Sequence, residues 1–196
     1  LPAQALDLAI IGGRVIDPET RTDKVLNVGV QDGRIVALTT DSLEADRVIN
    51  AEGRVVAPGF IDIHSHTPTP FGMQLNILDG ITTALDTEAG AYPVYEYGDA
   101  IKDNAPMNFG ASVGHYAARI RVIEGKYQPY FFHQGNLAGM SSPAFEQPAT
   151  AEQIEEIRQH LNQGIKQGGL GIGLLLDYMR DAVTDKELRM IFEVAA

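Results

Sequence analysis

From Ala57 onward, apolar β-branched runs alternate with stretches of helical spacing, and this alternation most restricts what the chain can fold into. The first strand is predicted over "APGFIDIHSH", with a helix over "FGMQLNILDG" after it. "ITTALDTEAG" reads as the second strand, "PVYEYGDAIKDN" as the second helix and "MNFGASVGH" as the third strand. Residues 118–149 are irregular, with Gly, Pro and aromatics, and read as a long loop with some helix at its start. Thr150 and Gln153 form a capping box ahead of "AEQIEEIRQHLNQGIKQ", where Ile154, Ile157, Leu161 and Ile165 share a helical face. "LGIGLLLDY" is the fourth strand, apolar as a strand covered on both faces should be. Thr184 and Glu187 make a second capping box, opening "DKELRMIFEVAA". Successive β-α units imply a parallel sheet, either open and doubly wound or half of an eight-unit barrel. The last helical pattern runs off the C-terminus, which favours the barrel. The expected fold is therefore α/β, with residues 57–196 forming the first half of a (β/α)8 TIM-type barrel.

Residues 1–56 follow a different pattern, of short strands and turns. "LDLAIIGGRVID" carries Gly12-Gly13, "VLNVGVQDGRIVALTT" carries Asp32-Gly33, and "ADRVINAEGRVVAPGF" carries Glu52-Gly53. Each pair is a hairpin signal, and together they predict a small all-β, sandwich-type unit. The net charge of −11 disfavours nucleic acid or an anionic membrane as partner. No apolar run approaches the length of a membrane span. The chain has no cysteine, which excludes disulfides, cysteine-ligated zinc and thiol catalysis within it. "LPAQA" at the start reads either as the small-residue end of a removed secretory signal or as a plain boundary, so a cytoplasmic and a periplasmic location both fit.

The chemistry is concentrated in "VVAPGFIDIHSHT". Side chains alternate along a strand, so His64 and His66 point to one side, together with Phe60 and Asp62. Ile61 and Ile63 have the opposite parity and are expected to face outer helices. The inward side at the C-terminal end of a parallel barrel strand is where active sites sit. Two imidazoles converging there can hold a divalent cation, zinc above all. Asp62, one layer beneath, is expected to orient a histidine. A bare His-x-His is equally compatible with two exposed loop histidines. The apolar strand, the preceding Pro58-Gly59 and the β/α series make the metal reading the more specific one.

"VVAPGFIDIHSH", behind a glycine-turned β unit, resembles the amidohydrolase superfamily. "GITTALDTEAG", "NFGASVGHYAAR" and "GGLGIGLLLDY" resemble the N-acyl-D-amino-acid deacylase (D-aminoacylase) group within it. The resemblance spans essentially the whole chain. It implies a (β/α)8 barrel with a small β-sandwich built from both chain ends, one or two divalent metal ions, and hydrolysis of an amide by a metal-activated water. In the deacylase group the second strand typically ends in a metal-ligating cysteine. That position is Ala89 here, and the adjacent Glu88 is the expected third ligand, an anionic oxygen in place of a thiolate; a solvated loop glutamate is the alternative. The carboxylated lysine that hydantoinase relatives carry on the fourth strand has no counterpart in "LGIGLLLDY".

His115, expected to end the third strand, is placed at the rim as a substrate contact or supporting group, or else as an ordinary turn histidine. Arg119 is a candidate partner for a substrate carboxylate, and Tyr178 a further rim candidate. His133 in "YFFHQGN" is read as loop packing and His160 as solvated on its helix. In the superfamily the general base is an aspartate on the eighth strand, which these residues do not include. The resemblance therefore implies that this chain alone is inactive. It also implies that a C-terminal half, another chain or a second copy completes the barrel. Hydrolysis of a cyclic amide, and a non-catalytic metal-binding role, are the competing readings.

Overall fold

The computed structural model describes residues 6–66, 68–99, 103–133 and 139–196, and the backbone of 136–137. The signal-like start of the chain, 1–5, lies outside the described residues, as do 100–102 of the predicted second helix. The chain divides into two compact units, Leu1–Pro58 and Gly59–Ala196.

The first unit is one mixed sheet of β1 (Leu6–Asp17), β2 (Thr22–Gln31), β3 (Arg34–Thr39), β4 (Ala45–Asn50) and β5 (Val55–Val56). The strand order is β3-β2-β1-β4, and β5 also pairs with β1. The Asp32-Gly33 hairpin forms: Gln31 pairs with Arg34, and both turn residues have positive φ, 50° and 71°, as a two-residue hairpin turn requires. The other two expected hairpins do not. β1 runs straight through Gly12-Gly13, where its register against β2 shifts as a bulge. A Cβ on Gly13 would stand 2.5 Å from Val56 Cγ2, so the glycine serves close approach of β5 rather than chain reversal. Glu52-Gly53 is a kink between β4 and β5, which both run parallel to β1.

The second unit opens with β6 (Phe60–Asp62), α1 (Pro70–Leu78), β7 (Ile81–Ala91), β8 (Asn108–Gly114) and α2 (His115–Glu124). It continues with β9 (Phe132–His133), β10 (Asn136–Leu137), α3 (Pro143–Glu146), α4 (Ala151–Lys166), β11 (Ile172–Gly173), α5 (Leu176–Met179) and α6 (Asp185–Ala195). Four of these strands form a parallel sheet in the order β11-β8-β7-β6. Thr69 caps α1 by accepting the Gly72 N–H at 3.0 Å, with Pro70 in the first turn. The capping box of Thr150 and Gln153 opens α4, whose Ile154, Ile157 and Leu161 are buried in the main core with Val113, Tyr116 and Ile191.

Four further expectations are corrected. The predicted second helix is, among the described residues, a single 3-10 turn over Val94–Glu96, set between Pro93 and the left-handed Gly98. The third strand ends at Gly114, so His115 starts α2 instead of ending β8. The fourth strand pairs only over Ile172–Gly173; the chain then leaves the sheet, and Leu176–Met179 coil into α5. β6 is an edge strand, and Ile61 and Ile63, expected against helices, are exposed. Among the described residues no helix is long and apolar enough to cross a membrane.

Candidate metal centre

β6 and β7 bring the site together. β6 ends at Asp62, but its partnership with β7 extends further: His64 bridges to Asp86, and the Ser65 N–H donates to Leu85 O at 3.0 Å. Alternation on β7 then puts Asp86 and Glu88 on one side. The Nε2 atoms of His64 and His66 lie 3.1 Å apart, and Glu88 Oε2 is 3.2 Å from the first and 3.1 Å from the second. Among the described residues these form the cluster whose donor atoms are close enough to share a metal ion. Three tetrahedral donors around a zinc ion at ~2.0–2.1 Å stand roughly 3.3 Å apart, so the triangle fits such a cation closely. Imidazole and carboxylate are also the donors that zinc and its neighbours accept. The face is accessible: the His64 side chain is 61% exposed and that of Glu88 34%.

Asp86 supports this triangle. Its Oδ2 accepts the Nδ1–H of His66 at 2.9 Å, and its Oδ1 accepts the backbone N–H groups of Ala89 at 3.0 Å and Gly90 at 2.9 Å. The carboxylate is 1% exposed. Donation from Nδ1 leaves the His66 Nε2 lone pair directed at the candidate centre. The hydrogen bond to Asp86 is the main cause of a raised His66 pKa, ahead of the opposing effect of burial, with Glu88 adding to it. The surroundings of this ring therefore favour positive charge. Gly90 is required where it stands: its φ is 70°, and a Cβ there would meet Ser112 O at 2.4 Å.

Asp62 does not take the orienting role expected of it. Its Oδ1 accepts the backbone N–H of His64 at 3.0 Å, which shapes the chain but touches neither ring. The orienting carboxylate is Asp86, absent from the residues expected at the site. Its signal was present in its i, i+2 spacing to Glu88 on a strand. Ala89, where the resemblance implies a cysteine, is fully buried in the main core.

The structure separates His115 and Arg119 from the rim. Both are fully buried with Glu187. The His115 Nε2–H donates to Glu187 Oε1 at 2.8 Å, and Arg119 Nη1 donates to both Glu187 oxygens at 2.6 and 2.5 Å. Arg119 also donates to the carbonyls of Ala144 and Gln147, at 2.7 and 2.6 Å, so its fork is filled by protein acceptors. Burial lowers the His115 pKa against the pull of Glu187. Burial pushes the Glu187 carboxyl up, but the hydrogen bonds and charges of His115 and Arg119 more than offset it, so it sits below its usual range. The cluster ties α2 and the α3 segment to α6. Tyr178 is exposed on α5 rather than on a strand. His160 is not solvated as expected: its Nδ1 is 2.8 Å from the Tyr92 hydroxyl, which donates to Gln163. His133 packs edge-on against Tyr127 and Tyr130.

A model of the amidohydrolase family matches residues 47–196. The chain is 32% identical to an N-acyl-D-glutamate deacylase of Alcaligenes xylosoxydans xylosoxydans over 98% of its own length and 42% of the relative's. It is 42% identical to a dihydroorotase of Streptococcus pneumoniae over 43% of its length and 20% of the relative's. The crystal structure of an N-acyl-D-glutamate deacylase from Bordetella bronchiseptica, complexed with zinc and a phosphonate inhibitor, superposes with a TM-score of 0.74 at 26% identity. That match covers 98% of this chain and 43% of that one. A D-aminoacylase structure superposes with a TM-score of 0.70 at 22% identity, covering 95% of this chain and 42% of that one, a likeness of fold. The chain thus spans about two fifths of the length of the deacylase relatives it matches. With the family model covering both carboxylates and both histidines of the centre, the chain belongs to the amidohydrolase family.

Proposed function

We propose that this chain supplies the first metal-binding strands of a hydrolase that cleaves a C–N amide bond, with an N-acyl-D-amino acid as substrate. The observation that carries the reading is the triangle of His64, His66 and Glu88, at 3.1–3.2 Å, braced by Asp86. When bound there, a divalent cation supplies an acidified water and polarisation of the scissile carbonyl. His64 and His66 would hold it through Nε2, and Glu88 through Oε2. Zinc is the favoured identity, supported by the donor set and by the zinc in the similar deacylase. Asp86 keeps His66 in the tautomer that offers Nε2. The Glu88 carboxylate brings one negative charge to two neutral imidazoles, so a dication there retains net positive charge with which to attract a carbonyl oxygen.

The deacylase substrate class rests on breadth of match: the N-acyl-D-glutamate deacylase aligns with nearly the whole chain, the dihydroorotase with less than half. The absence of a lysine in the 170–178 segment also argues against a carboxylated-lysine centre of the cyclic-amide kind. We further infer that additional strands pair beyond β6 to complete a barrel. Support comes from that open edge and from Phe60, Ile61 and Ile63, each more than 60% exposed. The test is metal analysis of this chain together with the strands that complete its barrel, followed by assay of N-acyl-D-amino acids against dihydroorotate and hydantoins. Turnover of the first set alone supports the reading. Turnover of the ureides selects the cyclic-amide alternative, and bound metal without turnover of either selects a non-catalytic role.

A further inference from the structure

Regular pairing of β6 stops at Asp62, yet the two nitrogens of the centre lie beyond it. β7 holds part of this extension. The Ser65 N–H donates to Leu85 O, and Ile63 O accepts both the Thr87 N–H at 3.4 Å and the Thr87 hydroxyl at 2.5 Å. The Ser65 carbonyl, midway between the two histidines, accepts the hydroxyl of Tyr97 at 3.0 Å. Tyr97 stands 32 residues further along, in the turn after β7. Its ring is 7% exposed, clustered with Ala91 and Ala111, edge-on to Tyr130 at 6.0 Å and close to Phe109 at 6.4 Å. The backbone that presents it is fixed as well: Gly98 has φ 75°, and a Cβ there would lie 2.5 Å from Phe109 Cε2. Burial, then the nearby Asp86 and Asp62 carboxylates, hold the phenol far above its ordinary pKa, so the hydroxyl stays a donor throughout the working pH range.

We propose that Tyr97 is a positioning residue for the metal centre, its hydroxyl fixing the Ser65 carbonyl and so the spacing of the His64 and His66 nitrogens. The proposal rests on the reading that these residues hold a cation. A peptide group between two ligands is the lever on both. Turning it shifts His66 relative to His64 and opens a donor triangle that matches a cation only while its edges stay short. A hydrogen bond to that carbonyl, from a ring locked in an aromatic cluster, resists the turn.

Tyr97→Phe removes the hydroxyl and keeps the ring; Tyr130→Phe, in the same aromatic cluster, is the control. Zinc affinity of the full chain is read by chelator competition, the d–d spectrum of the cobalt(II) form reports ligand geometry, and circular dichroism and metal-free Tm report the fold. The expected result is a zinc Kd raised about tenfold in Tyr97→Phe, the lower end of the roughly 10- to 100-fold range for a group supporting a metal ligand. Its cobalt bands should shift, and its metal-free Tm should stay with that of Tyr130→Phe, which keeps wild-type affinity. Wild-type affinity in Tyr97→Phe overturns the proposal, as does an equal loss in both variants, which assigns the effect to ring packing. If the wild type takes up no zinc, or takes up as much after His64→Ala, the metal centre itself is refuted, a result distinct from either.

Discussion

Asp86 holds His66 by a hydrogen bond of 2.9 Å to the ring nitrogen that faces away from the candidate centre. A carboxylate on the far side of an imidazole fixes its tautomer and raises its strength as a ligand. Asp86→Asn offers an amide that can present either a donor or an acceptor, and loses the charge. Metal affinity is expected to fall about 10- to 100-fold, measured by chelator competition, with the donor set itself intact. Undiminished affinity would mean that Asp86 serves the fold alone.

Glu88 contributes its oxygen directly to the triangle, at 3.1 and 3.2 Å from the two imidazole nitrogens. Glu88→Gln keeps the shape and removes the negative charge. It should weaken metal retention by more than the roughly 10- to 100-fold typical of losing a supporting group. Metal content per chain after dialysis decides this, and an unchanged content takes Glu88 out of the centre.

Arg119 and Tyr178 should separate cleanly by stability. Arg119→Ala leaves Glu187 buried without its bidentate partner, and breaking such a pair costs about 3–5 kcal/mol. Tyr178→Phe, on an exposed side chain, should stay within about 0.5 kcal/mol of wild type. Urea denaturation measures both. Native stability in Arg119→Ala would show that the buried cluster is dispensable and reopen a role for Arg119 in binding.

The same cluster sets a pH response. Both His115 and Glu187 have pKa values below their ordinary ranges in the folded chain. For Glu187, the stabilisation is present above the ordinary carboxylate pKa and lost as pH falls through the lowered value. For His115, held neutral, it is complete above about pH 6.5, the ordinary histidine value, and is lost on acidification toward the lowered one. The two act in the same direction. His66, with its raised pKa, acts in the opposite one in metal-free protein: its stabilisation is lost as pH rises through the raised value. It is the less buried group, so the cluster is expected to dominate, with Tm falling from just below about pH 6.5. A Tm that is flat or rising on acidification contradicts this.

How far the sequence was readable depends on the range of the interaction. That His64 and His66 share a side follows from strand alternation alone, and their nitrogens indeed lie 3.1 Å apart. The Asp32-Gly33 turn is equally local. Gly12-Gly13 misled because a glycine pair serves a bulge as well as a reversal, and only the proximity of Val56 tells them apart. Asp86 could have been found by applying the same alternation to β7. The burial of Arg119 could not, because its partner Glu187 stands 68 residues away. The sequence pattern casts Glu187 as half of a capping box. Only the other half formed: Thr184 accepts the Glu187 N–H at 3.3 Å, while the glutamate side chain turns inward.

The three donor atoms come from a span of chain of about 24 residues, Glu88 being the last of them. An ion seated there would act as a cross-link between two adjacent strands and close one short loop. Closing a loop of this length costs less entropy than joining strands from distant parts of the chain, though the saving grows only slowly with separation. At a free ion level one hundred times Kd, the captured ion would stabilise the folded strands by about 2.7 kcal/mol.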